Sequence, residues 1–378
     1  MKNILIIPSN FITNIESRFF YKTKNIIKSF IKFDSKKIIE NINAHNLCAE
    51  NYHYEGFADI KNLNVYMLGE YYPEYIEKII PKFSRYPSMH RSKLNNYISI
   101  NEVINNIKIF DCIIFGSRVS KKVNKILSIA KKNNILRVLV DHFDDQNIYF
   151  SNNYENYLYD NYKLKNDFDL MFKHDLPKDC DLGNVYPICP MPIRKDNYFD
   201  ILKPKTDKTL NISFSGRVGH NNSTDREFFQ DLLENYESSN FMNINFKQKI
   251  SVKSYLKTLS SSKIAITPYG KVWDSTRHSE IAIYNCLPII PKPNCKLSDG
   301  IEVNDENSIN YELEYDDNTK KFKILDEDIL EDKIQYYLNN ENLLKKHSLN
   351  WSNMINKNNS FEARANFILK KIESYLKC

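Results

Sequence analysis

One stretch of the chain reads Thr267-Pro-Tyr-Gly-Lys-Val-Trp-Asp-Ser-Thr-Arg-His-Ser-Glu280, and short apolar runs flank it on both sides. The run Ile264–Thr267 predicts a buried strand, and Leu287–Ile290 predicts another. A Pro-Gly turn and a polar loop follow the first strand, and a short helix around Arg277–Tyr284 leads to the second. This order of elements is typical of a parallel sheet with crossover helices.

The helix of this stretch carries side chains that suit a charged ligand. Arg277 and Glu280 are three residues apart, so they share one helix face. A guanidinium can bind a diphosphate, and a carboxylate can accept hydrogen bonds from ribose or sugar hydroxyls. A local ion pair on the surface is the alternative, but it does not explain the regular elements around the pair.

Glycine is scarce, with eight residues in 378, or about 2% against an average near 7%. Gly216 and Gly219 follow a strand predicted over Leu210–Ser215, and Gly270 follows the strand described above. Backbone N–H groups at such glycines can approach a diphosphate, which Arg217 could neutralise. An ordinary strand-to-helix turn is the alternative interpretation of this loop.

The N-terminal half repeats the α/β pattern. Strands are predicted at Ile4–Ile7, Leu63–Leu68, Asp111–Phe115 and Arg137–Val140, with a helix from Ser120 to Lys132 between the last two. Between about 176 and 210 the pattern lapses, and prolines are expected to break any regular element there. From about Asp326 the chain is predicted to be helical to its end.

Composition excludes several classes of protein. The net charge of +6 comes from scattered Lys residues, which indicates a solvated surface and would also suit an anionic donor, an anionic acceptor or a membrane surface. The sequence has no block of Arg residues with interleaved aromatic residues, so it does not favour a nucleic-acid-binding protein. Seven Cys without a C-x-x-C pair indicate free thiols in a reducing compartment, and no apolar run predicts a signal peptide or a membrane span. We therefore expect a cytoplasmic protein that associates with a membrane only peripherally, if at all.

Motifs between Tyr255 and Ile290 carry a specific resemblance. They are Leu-x-x-Ser-Lys-Ile-Ala-Ile-x-Pro-Tyr-Gly, Arg-His-x-Glu and Leu-Pro-Ile-Ile. This stretch resembles the donor-binding half of GT-B glycosyltransferases, nearest to the group-1-like bacterial and viral enzymes that include spore-coat glycosyltransferase-like proteins. The specific part covers about 80 residues, Ile212 to Ile290, and the order of elements extends the likeness over the whole chain.

The resemblance implies an α/β fold of the GT-B type, in which two Rossmann-like domains face an interdomain cleft. The expected parts are an acceptor-side domain at 1–190, a linker at 191–209, a donor-binding domain at 210–359 and a C-terminal helix at 360–378. Glu280 would bind the donor ribose and Arg277 the donor phosphates. The expected donor-binding residues are Gly216, Arg217, Gly219, Tyr269, Gly270, Arg277, His278 and Glu280. Asn285 replaces the glycine that such families often have before the last strand, and Asn tolerates the left-handed conformation.

The loop after the strand Arg137–Val140 is the expected place of a catalytic base that acts on the acceptor. Asp141, Asp144 and Asp145 are the candidates, together with His142, because an inverting transferase needs a group that takes the proton from the acceptor hydroxyl. A polar loop with a helix cap is the alternative, and a retaining enzyme needs no such base. Arg118, after the neighbouring strand, would hold an acidic acceptor or face solvent.

The sequence predicts no essential metal and no cofactor other than the nucleotide-sugar cosubstrate. Asp167-Phe168-Asp169 has D-x-D spacing, but its place before Leu170-Met171-Phe172 indicates the start of a strand. Neutralisation of the donor would come from Arg217, Lys271, Arg277 and helix N-termini.

The expected activity is therefore metal-independent glycosyl transfer from a nucleotide sugar to a saccharide in surface-glycan or polysaccharide synthesis. The alternatives are a DNA-base glucosyltransferase of the same fold, a non-catalytic scaffold that binds sugar nucleotides, and a nucleotide-dependent epimerase. The lack of a G-x-G-x-x-G after the first strand argues against the epimerase.

Overall fold

The structure is a computed structural model of the chain. It describes residues 1–7, 56–68, 96–116, 121–141, 167–189, 202–216, 225–235, 241–245, 251–270, 273, 275–316, 318 and 321–377. These residues contain two parallel sheets with helices that cover them, and one antiparallel hairpin. No helix in them is both long and apolar enough to cross a membrane.

Seven strands form the N-terminal sheet: β1 (Asn3–Ile7), β2 (Asn64–Leu68), β3 (Tyr97–Ile98), β4 (Cys112–Gly116), β5 (Leu136–Asp141), β6 (Leu170–Lys173) and β7 (Val185–Pro187). Their spatial order is β3-β2-β1-β4-β5-β6-β7, and all neighbours pair in parallel. The four strands predicted in this half are confirmed to within a residue at each end.

The C-terminal sheet has five parallel strands: β8 (Leu210–Gly216), β9 (Phe241–Asn245), β10 (Ser262–Ile266), β11 (Leu287–Pro291) and β12 (Ile309–Tyr311). Their order is β12-β11-β10-β8-β9. The antiparallel hairpin of β13 (Leu313–Asp316) and β14 (Lys321–Ile324) follows. The predicted strands β8, β10 and β11 are confirmed, whereas β9 and β12 to β14 were not expected.

The described residues contain eight α-helices: α1 (Ile100–Asn105), α2 (Lys121–Lys132), α3 (Asp225–Asn235), α4 (Val252–Ser261), α5 (Thr276–Ile283), α6 (Glu327–Asn339), α7 (Glu341–Asn358) and α8 (Phe361–Lys377). Ser251 caps α4, since its side chain accepts from the backbone N–H of Ser254. Asn285, after α5, has φ +50°, so the expected left-handed turn before β11 is confirmed.

The C-terminal sheet is buried on both faces. Phe229 of α3 and Ile334 of α6 pack on one face, against side chains such as Phe214 and Ile266. α4, α5 and α7 cover the other face, where Trp351 is completely buried. This three-layer arrangement leaves only the edges of the sheet available for a ligand.

The N-terminal sheet is also covered on both faces. α1 and α2 pack on one face, and the opposite face packs against α8 through Ala365, Ile368 and Ile372. Gly56 packs closely against the start of α8, where an added Cβ would lie 1.8 Å from the carbonyl oxygen of Phe361. Glycine is required at position 56 because any side chain would collide with that backbone.

The expectation that prolines break every regular element between 176 and 210 is wrong at β7, which contains Pro187. Among the described strands β7 is the last in the sheet and pairs with β6, and an edge strand tolerates proline at its end. The segment around β7 also contacts the C-terminal half. Pro177 forms a bridge with Cys295, and the hydroxyl of Ser298 accepts from the N–H of Cys189.

Candidate functional site

Three helices of the C-terminal half begin at the same edge of its sheet. α3 follows the carboxyl end of β8, α4 follows β9, and α5 follows β10. Helix N-termini carry partial positive charge, and the carboxyl edge of a parallel sheet is the usual place for a ligand. The first turns of these helices therefore define the candidate site.

A hydrogen-bonded cluster joins α4 to α5 at this edge. The hydroxyl of Tyr255 lies 2.7 Å from Oε2 of Glu280, and it also hydrogen-bonds the side chain of Arg277. Burial raises the pKa of Tyr255, and the negative charge of Glu280 raises it further. Tyr255 therefore stays a neutral donor and holds the carboxylate of Glu280, a buried residue that is 7% exposed, in one orientation.

A second cluster fixes the turn after β10. Oδ2 of Asp225 accepts from the N–H of Tyr269 at 2.7 Å and from the hydroxyl of Tyr311 at 2.8 Å. Asp225 is completely buried at the start of α3. Nε of Arg226 donates to the carbonyl of Tyr269 at 3.3 Å. The turn that leads to α5 is thus tied to the first residues of α3.

Two cations lie near each other beside these clusters. Burial lowers the pKa of Arg226, and the positive charge of Arg277 lowers it further. The two guanidinium groups repel each other at this edge of the sheet. The pair is suited to an anionic ligand, because an anion that binds both groups would offset their repulsion. Sequence analysis did not assign Arg226 or Tyr255 to a site. Arg226 lies in the first turn of the helix that follows the predicted strand β8, and this position was the available signal. The helix of Tyr255 follows β9, which was not predicted.

The structure places the predicted donor-binding residues in different surroundings. Arg277 and Glu280 lie together at the edge, Tyr269 and Gly270 form the adjoining turn, and Gly216 ends β8. His278 is instead buried, with its ring 4.7 Å from that of Trp273 and 6.3 Å from that of Trp351. Arg217, Gly219 and Lys271 lie outside the described residues.

On the N-terminal side, Asp141 ends β5 at the carboxyl edge of its sheet. Its Oδ2 lies 2.8 Å from Nζ of Lys173, and neither side chain is exposed to solvent. The ion pair gives Asp141 a structural role whether or not it also meets a substrate. Asp144 and Asp145, with His142 and Arg118, lie outside the described residues.

Residues next to this ion pair reach toward the C-terminal half. Nδ1 of His174 lies 3.0 Å from Oδ2 of Asp175, and both side chains are buried. Asp175 adopts φ +53°, in the left-handed region. Burial raises the pKa of Tyr269, and the charge of Asp175 adds to this effect, so Asp175 lies near the turn after β10. The carboxyl edges of the two sheets therefore approach each other at these residues.

The D-x-D sequence lies at the opposite edge of the N-terminal sheet. Asp169, just before β6, accepts from Nη2 of Arg137 at 2.6 Å and from its Nε at 3.0 Å. Asp167 lies 3.9 Å from Nζ of Lys131. The interpretation of this sequence as the start of a strand is confirmed. Among the described residues, no group of three or more His, Cys, Asp and Glu could hold a metal ion.

No protein-family model matches the chain, and no curated protein matches it by sequence. Solved structures do match it by fold. A crystal structure of Anabaena HepE in complex with UDP and glucose aligns with 99% of this chain and 100% of that chain, at 6% identity and a TM-score of 0.51. A crystal structure of TarM aligns over 98% of each chain, at 11% identity and a TM-score of 0.50.

A structure of an S. aureus TarM mutant with fondaparinux, α-GlcNAc-glycerol and UDP aligns with 71% of this chain and 57% of that chain, at 14% identity and a TM-score of 0.43. Because all three identities are low, these likenesses bear on fold alone. HepE and TarM are GT-B structures that align over nearly the whole chain. The predicted fold class is confirmed: this chain has the GT-B fold, with two Rossmann-like domains.

Proposed function

We propose that the protein is a glycosyltransferase whose nucleotide-sugar donor binds at the carboxyl edge of the C-terminal sheet. The observation that carries this proposal is the placement of Glu280, oriented by Tyr255, beside Arg277, whose charge also acts on Arg226. A carboxylate acceptor and paired cations at helix N-termini match the hydroxyls and the diphosphate of a nucleotide sugar. The solved HepE structure of the same fold contains UDP and glucose, which supports the proposal.

In this proposal, Glu280 accepts hydrogen bonds from the ribose hydroxyls. Arg277 and Arg226 neutralise the diphosphate as it departs, which is the point in the reaction at which negative charge develops. Gly216 and Gly270 let the backbone approach the phosphates. Arg217, Gly219 and Lys271 stay predictions for the same task, and His278 would act by supporting α5 from the core.

The acceptor would be a saccharide bound against the N-terminal sheet, in the synthesis of a surface glycan or polysaccharide. If the reaction inverts configuration, one of Asp141, Asp144 and Asp145 would take the proton from the acceptor hydroxyl. We further propose that transfer needs no metal ion and no cofactor, because the cations named above supply the neutralisation. The surplus of Lys residues would suit peripheral contact with a membrane surface.

A non-catalytic scaffold that binds sugar nucleotides is the second candidate. The surroundings of Asp141 favour this candidate. A carboxylate that is completely buried and ion-paired with Lys173 is less available to act as a catalytic base. The two candidates share the donor site and differ only in whether a sugar is transferred.

A thermal-shift screen of UDP-, GDP-, CMP- and ADP-linked sugars tests the proposal. One of them should raise the melting temperature, since a ligand at 100 times its Kd adds about 2.7 kcal/mol to stability. Glu280→Ala should lose most of this shift. The proposal is wrong if no nucleotide or nucleotide sugar stabilises the wild type. A nucleotide sugar that binds, but whose sugar is neither transferred to an acceptor nor released by hydrolysis, would favour the non-catalytic scaffold.

A further inference from the structure

Two buried hydroxyls of the C-terminal sheet have no hydrogen-bond partner among the residues that the structure describes. They are Oγ of Ser215, in a residue that is 5% exposed, and Oγ1 of Thr267, in a residue that is 1% exposed. Buried side-chain hydroxyls are nearly always hydrogen-bonded, and one that is not destabilises the fold. A pair of them in one place calls for a functional explanation.

Strand register brings the two hydroxyls together. Phe214 of β8 pairs with Ile266, the last residue of β10, so Ser215 lies beside Thr267, the residue that directly follows β10. Phe214 and Ile266 face the helix layer of α3 and α6. Because side chains alternate along a strand, Ser215 and Thr267 face the layer of α4 and α5.

This position lies within the candidate donor site. Both residues stand at the carboxyl ends of neighbouring strands, where α4 and α5 present Tyr255, Arg277 and Glu280. Thr267 is followed by the turn whose Tyr269 carbonyl accepts from Arg226. The hydroxyls therefore lie at the sheet edge between the elements that carry the two mutually repelling cations.

We propose that Ser215 and Thr267 form a hydroxyl pair that binds phosphate oxygens of the donor, each hydroxyl donating one hydrogen bond. This proposal rests on the proposed function and adds a second set of donors to the diphosphate site. A hydroxyl that lacks an acceptor in the unliganded protein gains a charged one, and hydrogen bonds to charged groups are the strong ones.

The test uses Ser215→Ala and Thr267→Val, which remove each hydroxyl with little change in volume. Binding is measured by calorimetry with the nucleoside diphosphate that binds the wild type, with its parent nucleoside and with inorganic pyrophosphate. Each variant should bind the diphosphates about 10- to 100-fold more weakly, the loss expected for a hydrogen bond to a charged group. Affinity for the nucleoside should not change, and Thr267→Ser should keep wild-type affinity.

Matched controls come from neighbouring hydroxyls that do have partners. Ser262 donates to the carbonyl of Thr258 at 2.7 Å, and Thr258 donates to that of Ser254 at 3.2 Å. Ser262→Ala and Thr258→Val should lower the melting temperature and leave diphosphate affinity unchanged. Ser215→Ala and Thr267→Val should keep or raise the melting temperature of the unliganded protein, because they remove an unsatisfied group.

Wild-type affinity for diphosphates in both Ser215→Ala and Thr267→Val would overturn the hydroxyl pair while leaving the donor site intact. An equal loss of nucleoside affinity would overturn it as well, since the hydroxyls would then contact the nucleoside. A wild type that binds no nucleotide would overturn the proposed function, and this inference with it. Failure of the proposed function is detected with the wild type, whereas failure of the hydroxyl pair is detected only with the variants. The two failures are therefore distinguishable.

Discussion

The hydroxyl of Tyr255 lies 2.7 Å from Oε2 of Glu280, and this hydrogen bond joins the first turn of α4 to the middle of α5. The bond therefore fixes the start of α4 relative to α5. A carboxylate held in this way needs no reorganisation when a ligand hydroxyl arrives.

Tyr255→Phe should weaken donor binding although Tyr255 need not touch the donor. The substitution leaves a nearly buried carboxylate without its phenol donor, and a hydrogen bond to a charged group contributes about 1.5–3 kcal/mol. We expect a smaller nucleotide-induced thermal shift than in the wild type, measured with the sugar nucleotide that stabilises it most. Tyr337→Phe, which removes a hydroxyl bonded to the Asp305 carbonyl, should leave the shift unchanged. Equal shifts in Tyr255→Phe and wild type would contradict the prediction.

Gly56→Ala should destabilise the protein severely. The new Cβ would lie 1.8 Å from the carbonyl oxygen of Phe361, so α8 must move away from the N-terminal sheet, and such overpacking costs about 1–3 kcal/mol or more. Gly183→Ala is the matched control, because nothing lies within 4 Å of its added Cβ. Chemical denaturation should show a large loss for the first variant and little change for the second. Similar stabilities would mean that the close approach is not formed.

Asp141→Asn should lower stability, whatever it does to turnover. Removing one partner of a buried ion pair typically costs about 3–5 kcal/mol, and both Asp141 and Lys173 are completely buried. If Asp141 is also the base, turnover per folded molecule should fall about 10²–10⁴-fold with donor binding unchanged. Asp169→Asn breaks another ion pair at the far edge of the sheet and should keep normal turnover. Full stability of Asp141→Asn would contradict the buried pair.

Transfer activity should survive EDTA. The Asp167 and Asp169 carboxylates are paired with Lys131 and Arg137, and Asp169 stands at the amino end of its strand. Assays with and without EDTA, before and after adding Mn²⁺ or Mg²⁺, check this expectation. Activity that is lost with EDTA and restored by either ion would show that a metal takes part.

Five cysteines should resist thiol reagents in the folded protein. Cys112, Cys180, Cys189, Cys286 and Cys295 are all buried free thiols. Burial raises the pKa of Cys112 and that of Cys286, so both stay in the unreactive thiol form at pH 8. Labelling with a chromogenic disulfide at pH 8 should modify these five only after denaturant is added. Rapid labelling of any of them in the native protein would contradict the burial.

The sequence could reveal the strands that are buried on both faces, because these are unbroken apolar runs such as Ile4–Ile7 and Ile264–Thr267. It could not reveal β9, where Phe241–Asn245 alternates with Asn, or the short edge strand β12. It also missed β7, because proline is a strong breaker signal everywhere except at a sheet edge. Strand prediction failed where pairing, rather than local composition, determines the structure.

The candidate site was predictable only in part for a related reason. Arg277 and Glu280 lie three residues apart on one helix, so their proximity is local and visible in the sequence. The contact of Tyr255 with Glu280 and the proximity of Arg226 to Arg277 depend on the order of strands β8, β9 and β10. The ion pair between Asp141 and Lys173 likewise joins two neighbouring strands, and it gives a structural role to a residue that had been considered as a base or as part of a polar loop.

The packing of α8 on the N-terminal sheet has a consequence for biosynthesis. Ile4, Ile114 and Val138 on that face are covered by Ala365 and its neighbours, which are translated long after the strands. While the ribosome is still making the C-terminal half, this apolar face lacks the cover that α8 provides. The packing of the N-terminal sheet would therefore be completed only after residues 361–372 leave the exit tunnel.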